Sequence, residues 1–176
     1  MGKLTETKIK KLIDEIIVIQ DTREKGESNH ITKCFDEYGV NWKKEQLVSG
    51  DYSAILPQND EYNTPEIDLR DELCIERKMS CDEVIRNLTV NRERFSKEFK
   101  RSDATIPILI EDSFENACKG KYRSKVTPNQ FLGALFSFCV EHNTYFYFME
   151  DKELSARWIY DQFKYRIRHK LKNMKV

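Results

Sequence analysis

Two stretches of the chain, Ile16-Ile17-Val18-Ile19 and Pro107-Ile108-Leu109-Ile110, are apolar at every position. A strand covered on one face alternates apolar with polar, so such runs belong in the middle of a sheet, packed on both faces. Each leads into acid: Asp21 follows the first after Gln20, and Glu111-Asp112 follows the second. The carboxyl end of a buried strand is where α/β sheets present ligand-facing residues. Residues 45–48 and 52–56 read as strands flanking Gly50-Asp51, a hairpin whose turn presents Asp51. Residues 72–78 read as a further strand whose period of two puts Glu76 and Lys78 on one face and Arg77 on the other. Residues 145–148 close the sheet.

Helical periods fill the gaps. Residues 5–15 form a short basic amphipathic pattern, and a Gly-containing loop after Glu24 leads to a helix over 30–38. Ser80 with Glu83 three residues on spells a capping box, so a helix starts directly after Lys78-Met79 and runs to about 88. A second follows over 92–101. Thr127 before Pro128 marks another helix start, to about 141, and 152–171 is the last helix. Residues 58–70, acidic and carrying Asn and Pro, read as a long hairpin loop, and 119–125 as a loop collecting Lys119, Lys121, Arg123 and Lys125. The order predicts a β-meander followed by helix, strand, helix, strand, helix: an α/β fold with a central mixed β-sheet flanked by helices.

One helix is apolar almost all round. Phe131, Leu135 and Phe138 form one stripe, and Leu132, Phe136, Cys139 and Val140 fill the adjoining face. The stripe Ile159, Phe163, Ile167, Leu171 of the last helix is the expected cover, packing in cis or in trans.

Length and composition narrow the class. The 176 residues fit a single domain able to bury its own core. Thirty basic and thirty acidic residues cancel, so a polyanion partner must be met by local segregation of charge. Arg86, Arg92, Arg94, Lys97, Lys100 and Arg101 on one stretch, and Lys164, Arg166, Arg168, Lys170, Lys172 and Lys175 on the last helix, are such segregations. Five cysteines without C-x-x-C spacing, and no secretory pattern at the N-terminus, suggest reduced thiols and an intracellular protein, cytoplasmic or, in a eukaryote, nuclear. No apolar run approaches the ~20 residues that span a bilayer, so no membrane partner is expected. His30, His142 and His169 read as ordinary surface or structural residues.

The acids suit one chemistry. Mg²⁺ or Mn²⁺ takes oxygen ligands from a few carboxylates plus water, leaving positions for a phosphate oxygen. A lysine beside it can orient or deprotonate water and stabilise developing charge. Singly, each acid has a plainer reading: Asp82 favours a helix N-terminus, Asp51 is a turn aspartate, and Asp21 pairs with Arg23.

Together, Gly50-Asp51, then Glu76-Arg77-Lys78, then Asp82 after three intervening residues spell G-D-Xn-E-R-K-X3-D, which resembles the XPF-type structure-specific endonucleases. Val18-Ile19-Gln20-Asp21-Thr22-Arg23-Glu24 is similar to that family's first motif, and Ile108-Leu109-Ile110-Glu111 to its later strand with a terminal glutamate. The resemblance covers about 16–150. It implies a restriction-endonuclease-like fold, a Mg²⁺- or Mn²⁺-dependent centre without a small-molecule cofactor, and cleavage of branched double-stranded DNA such as 3′ flaps, forks or junctions. It also implies a dimer, expected here as a homodimer with a heterodimer as the alternative. Carried over residue by residue, Asp21, Asp51 and Glu76 hold metal, Lys78 is catalytic with Arg77 beside it, and Arg23, Glu24 and Asp82 support the site. Arg86, Arg92, Arg94 and Lys97 are the candidate DNA contacts. Arg94-Phe95 is followed by Glu98 where the family has glutamine, and the family's tandem helix-hairpin-helix module has no counterpart, so a single nuclease domain over 1–176 is expected. Two further readings of the same fold are a non-cleaving DNA-binding or scaffold subunit and a Holliday-junction-type resolvase.

Overall fold

Along the chain come α1 (Glu6–Ile13), β1 (Ile17–Gln20), α2 (Asn29–Glu37), β2 (Asn41–Lys44), β3 (Tyr52–Leu56), β4 (Ile67–Asp68) and β5 (Glu76–Lys78). There follow α3 (Cys81–Leu88), α4 (Arg92–Phe99), β6 (Ile108–Ile110), α5 (Phe114–Lys119), α6 (Pro128–Glu141), β7 (Phe146–Phe148) and α7 (Lys152–Asn173). The structure is a computed structural model that describes residues 2–24, 26 and 29–175. Most of the Gly-containing loop expected after Glu24 lies outside the described residues.

The strands form a mixed sheet in two halves, ordered β2-β1-β3-β4 and β5-β6-β7. In the first, β1 runs parallel to β2 and antiparallel to β3; in the second, all neighbours are parallel, with Glu76 opposite Ile108 and Ile108 opposite Phe146. The halves are sewn together at one point, where Tyr52 and Ile75 exchange backbone hydrogen bonds of 3.1 and 2.8 Å.

This corrects the expected meander. Residues 45–48 are not a strand, and β2 lies just before them. The Glu45 N–H still reaches the Gln20 carbonyl at 3.0 Å, but the chain then folds over the sheet end, and Leu47 packs on Ile19 and Ile55. A parallel β1-β2 pair needs a crossover, which α2 supplies. Two short elements were also not expected: β4 falls within the loop 58–70, and α5, capped by the Ser113 hydroxyl and ended by Gly120 at φ 68°, precedes the loop 119–125 and shares only Lys119 with it.

One face of the sheet packs against α1, α2 and α7 in a core that includes Val18, Phe35, Ala54, Leu109, Ile159, Phe163 and Ile167. On the other face, Ile108 and Ile110 of the second half pack against α3, α4 and α6 through Val84, Phe95, Phe131, Leu135 and Phe138. The α7 stripe is therefore filled in cis, with Phe163, Ile167 and Leu171 fully buried against the sheet, α1 and α2. It does not cover α6, whose outward residues Phe136 and Val140 stay 52% and 84% exposed.

Candidate active site

Among the described residues, every buried charged side chain lies in one place. Asp21, Glu76, Arg77, Lys78 and Glu111 are 1% to 7% exposed, and they sit on β5 or just past the carboxyl ends of β1 and β6. Charged groups are almost never buried without partners, so their arrangement is constrained by what each faces.

β5 divides the set by its period of two. Glu76 and Lys78 turn toward α3 and α4. The Lys78 ammonium lies 2.5 Å from Glu76 Oε1, 3.7 Å from Glu83 and over the Phe95 ring. Burial disfavours the charge on Lys78, but Glu76, Asp51 and Glu83 outweigh it and raise its pKa. Lys78 is thus a resident cation rather than a base poised at neutral pH. Arg77 turns the other way, bonding Glu111 at 2.6 Å and approaching Glu24 at 3.7 Å. Glu111 in turn lies 2.7 Å from His30 Nε2 on α2.

Asp51 sits at the seam. Its backbone N–H donates to the Ile75 carbonyl and its own carbonyl accepts from the Asp21 N–H, both at 2.8 Å, while Oδ2 accepts the Arg77 N–H at 2.7 Å. Gly50 makes this approach possible. Its φ is 71°, and a Cβ there would stand 2.8 Å from Cys74 Cβ and 3.2 Å from the Ile75 carbonyl oxygen. Burial and then Glu76 push the Asp51 carboxyl well above the usual carboxylate range, since two acids beside one lysine leave negative charge uncompensated.

A cleft of about 320 Å³ opens here, lined by Glu24, Asp51, Glu76, Lys78 and Glu83 at its base and by Arg23, Arg86, Arg94 and Arg101. Asp51, Glu76 and Glu24 suit a hard cation in donor type. Among the described residues no group of three or more Asp, Glu, His or Cys side chains is placed to hold a metal ion by itself.

The other expected residues meet different partners. Both oxygens of Asp21 already accept hydrogen bonds, Oδ1 from the Arg23 amide and Nε at 2.7 Å, Oδ2 from the Leu47 amide at 2.7 Å and Arg23 Nη2 at 3.0 Å. Although burial opposes its charge, these donors hold its pKa below the usual range; Asp21 and Arg23 form a brace for the 45–51 loop. Asp82 bonds away from the cleft, to the backbone of Arg123 and Ser124. The capping box is half made: Ser80 accepts from the Glu83 amide, but the Glu83 carboxylate reaches the Met79 N–H at 2.8 Å and the cleft. Of the basic candidates, Arg86 and Arg94 line the cleft. Arg92 instead pairs with Glu141 and covers Phe138, and Lys97 pairs with Glu93 on the open side of α4. On α7, Arg168 and Lys172 are tied to Glu6 and Lys170 to Glu72, so that helix is not a free basic face.

Arg101, from the basic stretch, also lines the cleft, whereas Glu83, Asn87, Asn91 and Glu98 were not expected there. Glu83 and Asn87 on α3, and Arg94 and Glu98 on α4, are each four residues apart, one polar face of each helix turned to the cleft, with Asn91 and Arg101 just beyond the helix ends.

A model of the ERCC4 domain matches residues 20–161. A structure of XPF from Aeropyrum pernix superposes with a TM-score of 0.63 at 19% identity, over 86% of this chain and 65% of that one. XPF from Aeropyrum pernix in complex with DNA superposes with a TM-score of 0.61 at 18% identity, over 91% of this chain and 68% of that one. The chain therefore spans about two thirds of the length of these structures. A sequence search among curated proteins finds no match.

Proposed function

The chain belongs to the ERCC4 domain family, and on that premise we propose that it is a Mg²⁺- or Mn²⁺-dependent endonuclease that hydrolyses phosphodiester bonds in branched DNA. The observation that carries the reading is the pairing of Asp51 and Glu76 around the buried Lys78 ammonium, at the base of a cleft with arginines on its wall. The similarity to XPF from Aeropyrum pernix, one structure of which contains DNA, supports the substrate class.

Asp51 and Glu76, with Glu24 beside them, would hold the cation, whose charge stabilises the scissile phosphate and makes an attacking water more acidic. Lys78 brings a second, fixed positive charge to the phosphate as negative charge develops, in a site where burial strengthens it. Arg86, Arg94 and Arg101 bind the flanking backbone without reading sequence. Asp21 and Arg23 brace the loop that presents Asp51, and Arg77 holds Asp51 through its backbone amide. Incubation of end-labelled 3′ flaps, forks and four-way junctions with the protein tests this. Cuts near the branch are expected with Mg²⁺ or Mn²⁺ and none with chelator. Binding without cleavage across the panel would instead identify a non-cleaving subunit.

Self-association belongs to the same proposal, but through a different face than the α7 stripe. Phe136 and Val140 on α6 are exposed, and the Phe136 ring meets Phe146 of the edge strand β7 edge-on at 5.0 Å. Phe136→Glu is expected to leave the fold intact and convert a dimer to the 21.0 kDa chain in sedimentation equilibrium, whereas Phe163→Glu, at a fully buried core position, unfolds it. A wild-type monomer at micromolar concentration would refute the dimer.

A further inference from the structure

The carboxylate of Asp82, the last acid of the motif, is bonded to backbone 41 and 42 residues further along the chain. It accepts the Arg123 N–H at 3.1 Å on each oxygen and the Ser124 N–H at 2.9 Å on Oδ1. The loop so held is stiffened from within. The Lys121 N–H donates to the Asn116 carbonyl at 2.9 Å, the Tyr122 hydroxyl donates to the Val126 carbonyl at 3.0 Å, and the Tyr122 ring meets Phe131 edge-on. Alternation turns Tyr122, Ser124 and Val126 inward and leaves Lys121, Arg123 and Lys125 exposed.

These cations differ from the other basic runs. On α4 and α7 the lysines and arginines mostly close ion pairs with neighbouring acids. Lys121 reaches Glu115 at 3.4 Å, but among the described residues no acidic side chain lies within ion-pair distance of Arg123 or Lys125. A buttressed loop that holds two unpaired cations side by side is arranged for a ligand with negative charges in a row. It is also close to the cleft, because Asp82 adjoins Glu83 in sequence, and Glu83 lines the cleft.

We infer that loop 121–125 is a second DNA-backbone contact, taking phosphates of a duplex arm that leaves the cleft past the start of α3, and that Asp82 is the positioning residue that docks it. This rests on reading the cleft as a DNA-cleaving centre. Arg123 and Lys125 neutralise phosphates and release counterions; Asp82 acts only by keeping them in place.

The test is binding of a fluorescein-labelled branched duplex by the full chain across a range of salt, with chelator present so that nothing is cut. For Arg123→Ala/Lys125→Ala, affinity is expected to fall several-fold, and the slope of log affinity against log salt to flatten by about 0.9 for each phosphate that is no longer neutralised. Arg123→Lys/Lys125→Arg restores both. Asp82→Ala keeps the charges but frees the loop: affinity drops and amide exchange at Arg123 and Ser124 accelerates, while Asp82→Asn, which keeps an acceptor, loses less. A double alanine variant with wild-type affinity and slope overturns the loop contact. An Asp82→Ala protein that binds like wild type overturns the positioning role, and should that variant not fold, the exposed Arg123/Lys125 pair still decides the contact. Since binding is read without cleavage, a flattened slope in a chain that cuts nothing would overturn the nuclease reading alone, and cleavage with an unchanged slope would overturn the loop alone.

Discussion

On the side of β5 that faces α2, Arg77 bonds Glu111 at 2.6 Å and Glu111 lies 2.7 Å from His30; on the side that faces α3 and α4, the single ammonium of Lys78 lies 2.5 Å from Glu76 and 3.7 Å from Glu83 and is the positive charge that acts on Asp51. Both sides bury charge in one three-residue strand, and they treat it in opposite ways. Behind the strand, burial would raise the Glu111 carboxyl, but the bonds from Arg77 and His30 prevail and hold it below the usual range. In front, burial and Glu76 drive Asp51 well above that range. The rear network is a closed structural device. The front set carries surplus negative charge that a cation would relieve, as the proposed nuclease centre requires. Backbone joins the two, because the Arg77 N–H holds Asp51 while the Arg77 side chain holds Glu111.

The contrast breaks most visibly in turnover. Glu76→Gln and Lys78→Ala are each expected to lower kcat on a branched substrate by about 10²- to 10³-fold, as for the loss of other buried groups that stabilise transition-state charge, with circular dichroism and melting little changed. A rate within tenfold of wild type in either variant would remove the front face from the chemistry.

The rear face should answer in stability first. Glu111→Ala leaves the Arg77 guanidinium buried beside a gap, which costs about 3–5 kcal/mol and is measured by urea unfolding. Its pH signature has a definite sign. The folded-state pKa of Glu111 is lowered, so its stabilisation is full above the ordinary carboxylate pKa and is lost as pH falls through the folded value. Glu111→Gln should therefore carry a constant loss of stability above the ordinary carboxylate pKa and a flattened acid limb below about pH 4, where wild type loses the same stabilisation. An unchanged acid limb would show that the network is not closed as described.

What could be read from the sequence was what is local. Ile16–Ile19 and Ile108–Ile110 declared buried strands because no neighbour is needed to see an unbroken apolar run, and Thr127-Pro128 and Ser80 marked helix starts by their own capping chemistry. The motif placed Asp51, Glu76 and Lys78 in one cleft. β2 could not be read: Asn-Trp-Lys-Lys is a polar edge strand, selected by its register with β1, and lysines suit such an edge. The partners of Asp82 and Glu111 were equally hidden, since Arg123 and His30 meet them only through the tertiary fold. Asp21 kept its place at a strand end, but which donors saturate it depended on where Leu47 turned.

Thermal unfolding of wild type and Asp51→Asn, each with chelator and with Mn²⁺, tests the central claim most directly because it needs no substrate. Asparagine keeps an acceptor for the Arg77 N–H and removes the surplus charge. The account predicts that Asp51→Asn melts above wild type in chelator. It also predicts that Mn²⁺ at about a hundred times its dissociation constant stabilises wild type by about 2.7 kcal/mol, a shift of several degrees, and leaves the variant nearly unmoved. An Asp51→Asn protein that melts below wild type in chelator and gains the same shift from Mn²⁺ would contradict it.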